Sequence, residues 1–190
     1  MEAFLVSLGV VAIAEIGDKT QLLALLLAAR FRAPVPVIAG IFVATVLNHA
    51  GAAFVGVLLA DWLTGEILAW ILAVSFLAMG VWALIPDAPP GDDEVKPRFG
   101  PFAATAIAFF LVEMGDKTQI ATAALAAHYQ SLVLVAFGTT LGMMAANVPA
   151  VLLGDVAAKR VPLHIVRAAT AAIFIVLGLV AAAGAYGYAS

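Results

Sequence analysis

Apolar residues run along this chain in long unbroken blocks, with none of the alternation of a half-buried strand. Six blocks are long enough to be helices that cross a bilayer, which takes roughly 20 mostly apolar residues. They run over Ala3–Ala29, Val35–Ala60, Ile67–Ile85, Pro101–Ala127, Leu132–Gly154 and Leu163–Tyr186. Pro34 and Pro36 open the second. The third and fourth are separated by Pro86–Gly100, PDAPPGDDEVKPRFG, whose Pro, Gly and charge mark a loop. Two blocks are broken from within by polar residues. Residues 15–21 read EIGDKTQ and residues 113–119 read EMGDKTQ, 98 positions apart and differing only at Ile16 and Met114. An ionisable side chain at the centre of a bilayer costs about 2.5–3.5 kcal/mol on insertion scales and marks function by default.

The repetition extends past the motif. GIFVATVLNHAGAAFVGVLLAD (40–61) aligns loosely with LVAFGTTLGMMAANVPAVLLGD (134–155), each ending in Asp, at Asp61 and Asp155. The expected organisation is a first three-helix repeat in 1–85, a cytoplasmic linker in 86–100 and a second three-helix repeat in 101–190. An odd number of spans per repeat turns the second copy upside down relative to the first. Inverted repeats of this kind build secondary transporters with a site near the midplane.

The positive charges agree with six crossings. Arg30, Arg32, Lys96, Arg98, Lys159, Arg160 and Arg167 all fall on one side, and the remaining two basic residues, Lys19 and Lys117, lie within the motifs. The positive-inside rule makes that side cytoplasmic and puts both termini outside. Trp62, Trp70, Trp82, Tyr129, Tyr186 and Tyr188 sit near span ends, where aromatic anchors are enriched.

Composition adds exclusions. Of 190 residues 65% are hydrophobic and 11% charged, against about 45–50% and 25% in soluble domains. The chain therefore reads as an all-α integral membrane protein of the cell membrane, with its lipid bilayer as partner. No basic patch for nucleic acid is present, and no cysteine. The N-terminus lacks the basic region and cleavage site of a signal peptide.

The motif residues point to cation chemistry. On a continuous helix, Glu15 and Asp18 share one face, as do Glu113 and Asp116. Each Glu lies roughly 18 Å into its span, near the middle of a core about 30 Å thick. Inverted symmetry brings the four carboxylates to one axis. Lys19 and Lys117 supply two positive charges, and either one divalent cation or two protons neutralises the rest. Metal and protons then compete for one site, which is the basis of an antiporter. Oxygen ligands select hard ions such as Ca²⁺, Mg²⁺ or Mn²⁺. Gly17 and Gly115 can loosen the helix, free carbonyls or admit a close neighbour. Thr20, Gln21, Thr118 and Gln119 extend the polar patch around the carboxylates. Asn48, His49 and Asn147 lie mid-span and are candidate path-lining groups, His49 as a proton relay or a nitrogen ligand. Met114, Met143 and Met144 read as packing, and Gly138 with Gly142 as a close helix contact.

A doubled E-x-G-D-K-[ST] in a short six-span chain resembles the Gdt-type family of cation/proton antiporters. The G-T-T-L-G…A-N-x-P-A-x-L-L-G run of the fifth span resembles it too. The resemblance implies exchange of Mn²⁺ or Ca²⁺ for H⁺, with Mn²⁺ export the usual role of small bacterial members. It implies Glu15, Asp18, Glu113 and Asp116 as cation ligands, the metal as transported substrate and no prosthetic group. It also implies that the chain is not an enzyme. A passive cation channel and an intramembrane carboxylate hydrolase are the competing classes. The first would ignore a pH gradient; the second would have no use for an inverted copy of its acid–base pair.

Overall fold

The computed structural model describes residues 1–86, 100–153 and 163–189. Among these are eight helices: α1 (Glu2–Ala14), α2 (Lys19–Phe31), α3 (Pro34–Trp62), α4 (Gly65–Ala83), α5 (Pro101–Glu113), α6 (Lys117–Tyr129), α7 (Leu132–Leu153) and α8 (Leu163–Ala189). Four of them, α3, α4, α7 and α8, are long and apolar enough to cross a membrane. The expected linker falls almost wholly outside the described residues, together with Gly154, Asp155, Lys159 and Arg160.

The first and fourth apolar blocks are not continuous helices, which corrects the sequence expectation. Each is broken at its motif into two helices of 13 residues. Such a helix is about 20 Å long, so neither half can cross a core of about 30 Å by itself. The break is a tight turn. The Asp116 N–H bonds to the Glu113 carbonyl at 3.1 Å, and the Asp18 N–H does the same to Glu15. Met114 has φ −64° and ψ 120°, and Gly115 follows at φ +78°. These are the angles of a type II turn, which needs glycine at its third position. Gly17 takes the same φ of +78°. Length and apolarity suggested one helix; the left-handed glycine and the Asp behind it start a second.

Packing recurs at the 98-residue spacing. A Cβ on Gly40 of α3 would lie 2.7 Å from the Phe102 carbonyl oxygen of α5, and one on Gly138 of α7 would lie 2.6 Å from that of Phe4 in α1. Each of these partners is its counterpart plus 98. The 40–61 and 134–155 segments therefore match four residues away from the alignment expected above, with Gly40 opposite Gly138 and His49 opposite Asn147. Gly142 also meets α1, where its Cβ would be 2.5 Å from the Leu8 carbonyl, in line with the expected small-residue contact.

Helices α3 and α7 form the centre. On them, α1 and α6 make one layer and α2 and α5 another. The Tyr129 hydroxyl at the end of α6 donates to the Glu2 carboxylate at the start of α1, 3.4 Å away. Helices α4 and α8 pair with each other, with the Phe76 and Phe174 rings stacked at 6.4 Å. The pair packs chiefly on α6 and α1. Two apolar clusters result. The larger joins α4 and α8 to α6 and α1 around Phe76, Met79, Leu125 and Phe174. The smaller joins α2 and α5 around Leu23, Leu27, Ile41 and Phe109. The Trp70 and Tyr186 rings meet edge-on at 5.1 Å.

Candidate cation site

The two breaks lie between the two apolar clusters. Their sequence now has a local reading. Glu ends one helix, the next residue and Gly make the turn, and Asp is the N-cap of the following helix, with Lys, Thr and Gln as its first three residues. An N-cap Asp ordinarily accepts a hydrogen bond from its own helix. Neither Asp18 nor Asp116 makes a standard side-chain cap bond, although the Lys117 backbone N–H at the start of α6 lies within reach of the Asp116 carboxylate. Gln takes part of that job: Gln21 Oε1 accepts from the Gly17 N–H at 2.8 Å, and Gln119 Oε1 from the Gly115 N–H at 2.6 Å.

The aspartates are directed across to the other copy. Lys117 Nζ lies 2.8 Å from Asp18 Oδ1, and Lys19 Nζ lies 3.5 Å from Asp116 Oδ1. Each motif supplies the counter-charge of the other. The glutamates stay within their own motif, Glu15 accepting from the Thr20 hydroxyl and Glu113 from the Thr118 hydroxyl. That leaves Glu15 Oε1 and Glu113 Oε2 buried with no hydrogen-bond partner among the described residues. All four carboxylates are at most 3% exposed. Glu15 lies within electrostatic reach of the other three. The expectation that Glu and Asp share one helix face is replaced by this arrangement: Glu at the carbonyl end of one half-helix, Asp at the amide end of the next. Helix ends carry partial charges that suit ion sites, and broken helices place them at depth.

The remaining predicted residues gather here. Gln21 Nε2 donates to the Ala146 carbonyl at 3.1 Å, and Gln119 Nε2 to Asn48 Oδ1 at 3.4 Å, so each motif grips the central helix of the other repeat. Asn48 Nδ2 donates to the Phe110 carbonyl. His49 is fully buried, with Nε2 3.8 Å from Glu113 Oε1. Asn147 is also fully buried, its amide donating to the Met143 carbonyl. Met143 packs inside, whereas Met114 is 55% exposed.

Three contributions come from helices that the motif does not mark. Trp82, expected as an interface anchor, has its ring 5.8 Å from Lys117 Nζ, within cation–π range. A cavity of about 20 Å³, room for about one water, is lined by Asp18, Lys117, Arg167 and Thr170. Arg167 reads in the sequence only as a topological charge. Its position a few residues inside an apolar block was the available signal. Among the described residues no three His, Asp or Glu side chains form a ready-made metal shell. The lysines are the cations that the aspartates face.

A family model described as "Divalent cation/proton antiporter GDT1" matches the chain twice, over residues 3–90 and 101–188. The two matches are offset by the same 98 residues as the motifs. A protein of Vibrio cholerae serotype O1 (strain ATCC 39541 / Classical Ogawa 395 / O395), named "Putative manganese exporter", is 54% identical over 183 residues, covering 96% of this chain and 91% of that one. No solved structure matches the chain.

Proposed function

The chain belongs to the GDT1 family of divalent cation/proton antiporters and is a multi-pass membrane transporter, not an enzyme; from that premise we propose that it exports Mn²⁺ from the cytoplasm in exchange for protons. Ca²⁺ is the second candidate substrate. The observation that carries the reading is the crosswise pairing of Asp18 with Lys117 and of Asp116 with Lys19. In this reading the two motifs, with the Arg167 charge common to every state set aside, form one site of four carboxylates and two ammonium groups, a net charge of minus two. One divalent cation or two protons balances it, so the exchange is electroneutral at two protons per metal.

Glu15, Asp18, Glu113 and Asp116 are the metal ligands in this reading, and Lys19 and Lys117 stand in for the metal when it leaves. Thr20 and Thr118 hold the glutamates in place. Gln21, Gln119 and Asn48 fix the half-helices against α7 and α3. The protein crosses the membrane six times, with α1–α2 and α5–α6 each making one broken crossing. The two repeats are inverted about an axis through the site, with both termini outside. This fits the contact between Glu2 and Tyr129, which joins two ends assigned to the same side.

Alternating access follows from the position of the α4–α8 pair. It lies on α1 and α6, the outer layer in this orientation. Exchanging the repeats places it on α5 and α2, the inner layer. Packing on one layer closes the path on that side, and rocking to the other layer opens it. Metal binds from the cytoplasm to the deprotonated site, and protons entering from outside displace it.

The test is Mn²⁺ and Ca²⁺ flux into vesicles containing the purified protein under an imposed pH gradient. Uptake that follows the gradient and carries no current supports the reading. Transport that ignores the gradient makes the protein a channel, and normal transport by Glu15→Gln and Glu113→Gln variants removes the site.

A further inference from the structure

The two halves of the site are identical in motif but differ in what the central helices present to them. At one position of the 98-residue correspondence α3 carries His49; at the matching position α7 carries Asn147. Both are fully buried. Neither ring nitrogen of His49 has a hydrogen-bond partner among the described residues, and neither does Oδ1 of Asn147. A buried imidazole ordinarily bridges two helices through hydrogen bonds, because an unsatisfied polar group in a low-dielectric interior is costly. His49 makes no such bridge. Its Nε2 lies 3.8 Å from Glu113 Oε1, which exceeds a hydrogen bond. The preceding residue, Asn48, bonds to the Phe110 carbonyl and accepts from Gln119, which fixes this stretch of α3 against the second motif.

We propose that His49 is a nitrogen ligand of the transported ion and the residue that sets its preference for a first-row transition ion over Ca²⁺, with Asn147 Oδ1 as the matching oxygen donor in the other half. This deepens the central-site reading above and rests on it. With the four carboxylates, the pair brings the donors to six, five of them oxygen-bearing side chains and one imidazole. Ca²⁺ takes oxygen ligands, often more than six, whereas imidazole favours first-row transition ions. Four carboxylates alone would discriminate poorly between Mn²⁺ and Ca²⁺; one nitrogen breaks the tie. The donors converge only when metal draws the aspartates away from Lys117 and Lys19, since no shell is preformed among the described residues.

The experiment is pulsed electron paramagnetic resonance of Mn²⁺ bound to the purified full chain, prepared with natural-abundance or ¹⁵N-labelled histidine. His128 and His164 are the other two histidines. A H128Q/H164Q protein therefore reports on His49 alone without altering it. The expected result is nitrogen modulation from a directly bonded imidazole that changes with the isotope and persists in H128Q/H164Q. Competition in His49→Gln should then show the Mn²⁺ over Ca²⁺ preference reduced about tenfold, with Ca²⁺ binding retained. Bound Mn²⁺ without nitrogen coupling, or an unchanged preference in His49→Gln, overturns the inference and leaves the carboxylate site standing. Absence of Mn²⁺ binding altogether, or binding indifferent to E15Q and E113Q, overturns the central site and this inference with it.

Discussion

The two motif breaks have nearly the same sequence and different surroundings. The first is covered: Ile16 and Gly17 line the small cavity with Arg167, Thr170 and Ala83 from the α8 and α4 ends. Its aspartate is paired at 2.8 Å with a lysine whose side chain is 7% exposed. The second break is open: Met114 and Gly115 are exposed, a Cβ on Gly115 would meet nothing within 4 Å, and Asp116 is paired at 3.5 Å with a lysine 28% exposed. The difference comes from α4 and α8. They meet each other symmetrically, through Phe76 and Phe174, but lie on only one layer of the core. Two half-sites of nearly equal sequence thus become unequal through the placement of one helix pair.

Transport gives the largest effect with which to break this comparison. Asp18→Asn and Asp116→Asn should each reduce pH-driven Mn²⁺ flux at least about 100-fold, because each removes a proposed ligand and disturbs the charge balance. If one variant transports normally, the two halves do not form one site. Stability comes next and should separate the halves. Asp18→Asn removes the 2.8 Å carboxylate partner of the buried Lys117 and should cost about 3–5 kcal/mol in detergent unfolding. Asp116→Asn strands a lysine already near the surface and should cost about 1 kcal/mol or less. Equal losses would show that the covered and open halves do not differ in energy.

The lack of native cysteine permits two finer tests. Ser75 and Ala127 line one cleft between α4 and α6. A short bifunctional thiol reagent should readily form a cross-link across S75C/A127C. The counterpart pair under repeat exchange, I173C/A29C, should cross-link more slowly, and either cross-link should stop transport. Failure of I173C/A29C to cross-link under any metal or pH condition argues against rocking of the α4–α8 pair. The smallest effect concerns the turns. Gly115→Ala places a side chain at φ +78° in open space, so its cost is backbone strain alone, about 1–2 kcal/mol in thermal unfolding. A neutral result would mean that the turn relaxes in place.

Much of this was legible in the residues. The long helices followed from block length, and both motifs stood out because charge is costly in apolar blocks. The break was legible too, but was outweighed. Gly17–Asp18 followed by Gln21 is a helix stop and start, yet a 27-residue apolar block favours one helix. The crosswise pairing was not legible, because opposite charges within EIGDKTQ could pair locally as easily as across repeats. Nor was the position of the α4–α8 pair, which depends on side-chain fit around Phe76 and Phe174 and leaves no periodic signal. The contacts of Trp82 with Lys117 and of Arg167 with the cavity were not legible for the same reason: position along a span does not say which neighbour a side chain meets.

The claim on which the rest depends is that two motifs make one cation site. Equilibrium Mn²⁺ binding to the purified protein, counted per chain, tests it most directly. The account predicts one ion per chain in the wild type, and binding weakened at least about 100-fold by Glu15→Gln alone and by Glu113→Gln alone. Two ions per chain in the wild type, falling to one in each single variant, would contradict it.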